Sequence, residues 1–450
     1  MSLSTKRWLL EHEGIPPAPR LTPLVPPRGG GPAPRLSEFG HLRPVLREGL
    51  LAAYLRWAIE EGDDYVVWLG PTPHVVVVRP ESALRVLQDE HAFVRNPEPT
   101  RELFGRGLLR MAGPPWRRRR ERFTPSLSGV HLGELVDVVQ QETGVLLNRW
   151  SGTRGRLFKP TRELSWMMLR ILGRFLFGFS FEAERHGGLP LHRSLIALST
   201  DSVLRHLFPA PLVPLAKRRE LARARRTLRE LCTEILERGG DTPFMDALRR
   251  GLAEGALDRE TALDELRTFL VAGHETSATA LAWTLAALAQ HPELAAGVRA
   301  EASRAEAARR PEDLNDLVHT ERWIKETLRL FPAVPISVQQ SACSGELGRL
   351  RLHVGTRVDL CSFVLHRLPS LWPQPERFDP QRFELPPAPG SYLPFLAGPH
   401  VCLGRRFAML ELSIATARLA AAFEFELPEG PPKLNLRLSL HPEGFRLRLR

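Results

Sequence analysis

The segment Phe395-Leu-Ala-Gly398-Pro-His400-Val-Cys402-Leu-Gly404 sets one cysteine between two glycines, just ahead of a predicted helix. Gly398 and Gly404 permit tight turns that aim amide N–H groups at the sulfur, and a helix N-terminus adds partial positive charge. Both favour a thiolate, which suits a metal. On this segment alone a buried structural cysteine is the alternative. A second group, Ala272-Gly273-His274-Glu275-Thr276-Ser277, lies inside an apolar, helix-forming stretch. A mid-helix glycine costs ~1 kcal/mol relative to alanine, so something is expected to lie against this turn; polar residues on an exposed helix face are the other reading. His274 and Glu275 begin an HExxH pattern, but Ala278 stands where the second histidine belongs, which excludes that zinc site. Glu326 and Arg329, at i and i+3, would by themselves be an ordinary solvated pair.

The elements that must position these groups are mostly helical. Residues from about Asp258 to Gln290 read as one helix of some nine turns, closed by His291-Pro292. A helix from about Arg405 to Ala421 follows Cys402. Tyr65 to Val78 reads as a β-hairpin with a Pro-containing turn, Leu350 to Leu365 as short strands, and Leu368 to Pro389 as irregular coil. The expected class is mainly α with minor β. Residues 1–35, dense in Pro, Gly and Arg from Pro16 to Pro34, form an extended arm before a single domain over 36–450.

In order along the chain, the AGxET segment, ExxR, a PxRF coil and FxxGxxxCxG resemble the cytochrome P-450 superfamily from about Leu36 to the C-terminus. The resemblance implies a triangular-prism fold with haem b between the long distal helix and the Cys helix. It makes Cys402 the axial ligand of the haem iron, a thiolate that pushes electron density onto the metal and favours O–O cleavage. Glu275 and Thr276 match the distal acid and alcohol that direct protons to bound dioxygen. Ala272, Gly273, Phe395, Gly398 and Gly404 match positions that line the haem, and Trp116 and Arg120 match the WxxxR helix that meets its propionates. His400 stands where arginine is usual. Gln339 and Gln340 occupy the strand where many members place another arginine, so the partners of the second propionate stay open. Glu326 and Arg329 match the buried ExxR pair. Of two candidate arginines in the coil, Arg377 and Arg382, the fuller PxxFxPxRF pattern selects Arg382.

The implied reaction inserts one oxygen atom of O2 into an apolar organic substrate. The loop Phe104 to Leu109 and the Thr268–Thr276 run resemble the fatty-acid and carotenoid hydroxylating branches of the superfamily, which implies a fatty acid, terpenoid or carotenoid-like molecule. Phe93–Met111 and the Pro-rich connection Leu207–Leu215 are expected to shape access to it. Net charge is +11, carried almost wholly by arginine. Arg117 to Arg120, Arg122, Arg405 and Arg406 form a patch suited to an acidic ferredoxin or flavodoxin with its reductase. No recognition motif supports nucleic-acid binding. The four scattered cysteines and the lack of a ~20-residue apolar run point to a reducing compartment, no membrane span and a cytoplasmic monomer. The rival readings are a peroxide-driven peroxygenase and a non-catalytic haem- or ligand-binding protein on the same fold.

Overall fold

The computed structural model describes residues 41–69, 72–95, 100–181, 189–207 and 215–450. The arm over 1–35, the hairpin turn at Gly70-Pro71 and most of the Leu207–Leu215 connection lie outside them.

The long helix spans Arg259–Gln290. Asp258 caps it by accepting a hydrogen bond from the Thr261 amide at 2.7 Å, and His291 closes it. Its alanine- and leucine-rich sequence is buried on nearly every side, as befits a helix through the middle of a core. Helices Thr161–Leu172, Leu215–Arg238, Val318–Leu330 and Arg405–Ala422 pack around it. This bundle owns the larger hydrophobic core.

A second core lies under a five-stranded sheet ordered Tyr65–Leu69, Thr72–Val77, Arg357–Leu360, Ser337–Ser341, Phe93–Arg95. Val66, Val67 and Val75 to Val77 supply its buried β-branched residues. Thr72–Val77 runs parallel to Arg357–Leu360; the other neighbours are antiparallel. Phe331 touches both cores and stacks on Trp283 with ring centroids 4.0 Å apart. The fold is mainly α with small sheets, as the sequence predicts.

Two local expectations change. Leu350 to Leu365 is not all strand: Leu350–Leu352 and Arg357–Leu360 are, but Ser362–Leu365 turns helical, with the Val364 and Leu365 amides bonded to the Cys361 carbonyl. A short buried apolar run carries no period that separates the two states. The coil over Leu368 to Pro389 contains a 3-10 turn, Pro380–Glu384, capped by the Asp379 carboxylate. Among the described residues no helix is long and apolar enough to cross a membrane.

Candidate active site

The loop before the last long helix is held by its own backbone and by a neighbour. The Cys402 amide donates to the Phe395 carbonyl at 2.9 Å, and Val401 to Gly398 at 3.1 Å. Gly398 has φ +66°, and a Cβ there would stand 2.4 Å from the Leu87 carbonyl oxygen, so only glycine fits between loop and helix Pro80–Gln88. Gly404 is different. Its φ of −86° is ordinary, and it serves as the residue from which helix Arg405–Ala422 starts.

Cys402 is accessible, yet burial is the largest influence on its thiol and pushes the pKa up. A sulfur both reachable and surrounded by protein lines an internal recess. The Gly404 amide and the charges of Arg120, Arg95 and Arg405 pull the other way without prevailing. The glycine loop and helix start therefore do not by themselves deliver a thiolate; a bound cation would be needed to complete the deprotonation.

Three further groups converge beside this loop. Trp116 and Arg120 come from helix Gly113–Phe123. Trp116 is buried and faces the His400 ring at 3.8 Å, with Arg120 stacked on its indole and donating to the Val401 carbonyl at 2.8 Å. Arg95, which sequence reasoning passed over, points to the same place. Burial, then the charge of Arg120, lowers its guanidinium to about 10. Neither arginine has an acidic partner among the described residues. His400 lies 3.2 Å from Glu90 by Nε2, while its buried Nδ1 has no hydrogen-bond partner. Burial and the charges of Arg95, Arg120 and Arg117 hold His400 neutral, near pKa 3. Two uncompensated cations and an orphaned ring nitrogen next to a recessed sulfur fit a metal-bearing macrocycle with anionic arms.

The strand register explains Arg95. It pairs directly with Gln339 across the antiparallel Phe93–Arg95/Ser337–Ser341 ladder, so the two side chains share a face. A cation missing from one strand is supplied by the neighbouring one. Single-residue spacing gives no hint of this.

On the long helix, Ala272, Gly273 and Thr276 are accessible within an otherwise buried stretch, and Thr276 Oγ1 donates to the Ala272 carbonyl at 2.8 Å. What lies against Gly273 is protein: a Cβ there would come 2.7 Å from Leu172 Cδ1 of the neighbouring helix. The glycine is thus explained by helix packing. Glu275 is buried and accepts from Ser199 at 3.4 Å and Ser439 at 3.1 Å, with His441 Nε2 3.0 Å away. Burial raises its pKa, but the His441 hydrogen bond and charge outweigh that, and the carboxyl is held below the usual range.

Glu326 and Arg329 are not a solvated surface pair. Both are fully buried in bidentate contact at 2.7 and 2.8 Å, and Arg329 also donates to the carbonyls of His366, Pro375 and Arg377. Arg382 Nε lies 3.4 Å from Glu326, whereas the Arg377 guanidinium turns to Gln374. Among the cations expected on the Cys face, Arg117 pairs with Glu90, Arg119 with Glu265 and Arg122 with Glu254, and Arg120 faces inward. Arg118, Arg405 and Arg406 remain exposed, without acidic partners among the described residues.

A mainly α fold carrying one accessible cysteine in a cation-lined internal recess defines a haem-thiolate class of protein. The cytochrome P450 family profile matches residues 27–449. The chain belongs to the cytochrome P450 family, and with it to the monooxygenase oxidoreductases of that family, which use a haem-thiolate cofactor, O2 and a redox partner. It is 29% identical to cyclooctat-9-en-7-ol 5-monooxygenase of Streptomyces melanosporofaciens, covering 91% of this chain and 93% of that protein. It is 28% identical to the chloroplastic carotene epsilon-monooxygenase of Arabidopsis thaliana, covering 87% and 80%. The crystal structure of the cytochrome P450DA haem domain superposes with a TM-score of 0.82 at 22% identity, covering 95% of this chain and 98% of that one.

Proposed function

We propose that the chain hydroxylates an apolar terpenoid or similar chain-like substrate, with haem b ligated by Cys402 and electrons from a separate acidic donor. The observation that carries the reading is the recess itself, with accessible Cys402 beside the uncompensated Arg95 and Arg120 and the orphaned Nδ1 of His400. Haem bound there supplies the site of O2 reduction, tuned by its thiolate ligand. Arg95, Arg120, His400 and Trp116 would hold its propionates, with Arg95 in the place that Gln339 leaves open. Ala272 and Thr276 would face the bound group from the long helix, where the Thr276 hydroxyl, now donating to the Ala272 carbonyl, could release that bond and hold or pass a proton. Glu275 stands next to it as the acid.

The substrate class rests on the cyclooctat-9-en-7-ol and carotene in the names of two relatives. Arg118, Arg405 and Arg406 offer the electron donor a cationic face. Glu275 and Thr276 favour O2 over a peroxide-driven reaction, since that pair serves proton delivery.

The deciding experiment is the carbon monoxide difference spectrum of the reduced protein, for wild type and Cys402→Ser. A band near ~450 nm that the variant loses supports thiolate ligation by Cys402; an unchanged variant refutes it. Substrate-induced shifts of the ferric spectrum with diterpenoids, carotenoids and fatty acids then rank the substrate classes.

A further inference from the structure

The hairpin formed by Lys433–Leu436 and Leu440–Glu443 lies along one face of the long helix. It is attached at three positions spaced four residues apart. Glu275 accepts from Ser439, Thr279 Oγ1 lies 3.4 Å from Ser439 Oγ, and Trp283 Nε1 donates to the Leu440 carbonyl at 2.6 Å. Positions i, i+4 and i+8 form a single stripe on a helix, so the hairpin is registered against it. Two of these contacts are ordinary docking. The third is not, because it places a titratable ring against a buried acid.

His441 Nε2 lies 3.0 Å from both Glu275 Oε1 and Ser439 Oγ. The three groups close a triangle. Glu275 itself is almost wholly buried, whereas the His441 side chain is 26% exposed. The groups facing Glu275 are Ser199 from helix Leu189–Leu207, Ser439 and His441 from the hairpin, and His274 on its own helix. His274 is buried and bonds the Leu270 carbonyl through Nδ1. Within this set His441 is the titratable group that also reaches solvent.

We propose that His441 is a positioning residue that, with Ser439, orients Glu275 and passes protons to it from solvent. The inference rests on Glu275 and Thr276 being the oxygen-side pair. The imidazolium Nε2–H proton moves to Glu275 Oε1, leaving a neutral imidazole and a neutral carboxyl, and the ring is reprotonated from water. The transfer goes forward when a proton is consumed in the recess. Ser439 donates to Oε1 and so orients the carboxyl, leaving the other Oε1 lone pair toward His441.

The test uses the holoenzyme and three variants: Glu275→Gln, His441→Phe and His441→Gln. Infrared difference spectra against Glu275→Gln locate the pH at which the Glu275 carboxyl protonates. In His441→Phe that pH rises by about one unit or more, since an opposite charge in contact is lost. The same variant releases more peroxide per electron and shows a larger solvent isotope effect on turnover. His441→Gln can keep a hydrogen bond to Glu275 but cannot ionise, so it restores thermal stability without restoring the carboxyl titration or the coupling. An unmoved carboxyl titration in His441→Phe, or wild-type coupling in His441→Gln, overturns the proposal. Should Glu275→Gln itself stay fully coupled, the role given to Glu275 falls instead, and this inference with it.

Discussion

Glu265 lies ten residues before Glu275 on the long helix and is fully buried. It accepts the Leu108 amide at 3.0 Å and the Arg119 guanidinium at 3.0 Å, while the neighbouring Asp264 accepts the Arg106 amide at 2.8 Å. The two acids fasten the Phe104–Leu109 loop, expected to shape substrate access, to the helix. Close approach is needed there: a Cβ on Gly107 would fall 1.9 Å from Thr268 Oγ1. Burial raises Glu265 from 4.5 to about 7, against the pull of Leu108 and Arg119. With the folded pKa above the unfolded one, the native state holds the extra proton between these values. Stability from this group is therefore present below about pH 4.5 and lost as pH rises through 7. Moving from 4.5 to about 7 corresponds to about 3.4 kcal/mol as an upper bound. Glu265→Gln can keep an acceptor for Leu108 and removes the titration. Urea unfolding of wild type and variant at pH 5 to 8 should show the variant gaining relative stability as pH rises, toward that bound. A difference that stays flat with pH would refute the assignment, since distant groups titrating in both proteins cancel.

Other outcomes follow from the packing. Gly273→Ala should cost about 1–3 kcal/mol by overpacking Leu172, less the ~1 kcal/mol helix gain, and Leu172→Ala in the same chain should recover part of it in thermal unfolding. Arg95→Gln should lose about 1.5–3 kcal/mol of charge-assisted binding, read as at least about tenfold faster transfer of haem to an apo-globin, while Arg351→Gln, exposed on a distant strand, should not. Glu326→Gln leaves Arg329 buried with only neutral partners and should cost about 3–5 kcal/mol, measured by urea unfolding and by yield of folded protein.

The long helix, the hairpin at Tyr65 and the Cys helix were legible because length, β-branching and capping each act locally. Ser362–Leu365 was not, because burial on all sides erases the period. At the site, the buried Glu326–Arg329 contact and the choice of Arg382 over Arg377 came from motif order, which preserves spacing along the chain, and the proposal for Cys402 has the same source. Arg95, Ser439 and His441 reach their partners across a sheet or from a terminal hairpin, where sequence separation exceeds any pattern a single chain displays. Gly273 was legible as unusual but its cause was not: the neighbour is Leu172, a hundred residues upstream. The cationic patch was overcounted for a related reason, since Glu90, Glu254 and Glu265 arrive from other elements.

Arg329 grips the coil through three main-chain oxygens, at His366, Pro375 and Arg377. It therefore recognises the path of the chain and not the letters written along it. Drift at residue 377 should be silent so long as the carbonyl stays in place, and Arg377→Ala is expected to leave unfolding unchanged. An anchor of this kind lets the segment leading to Cys402 vary widely in composition while its route stays fixed, and a family can diverge around an unmoved centre.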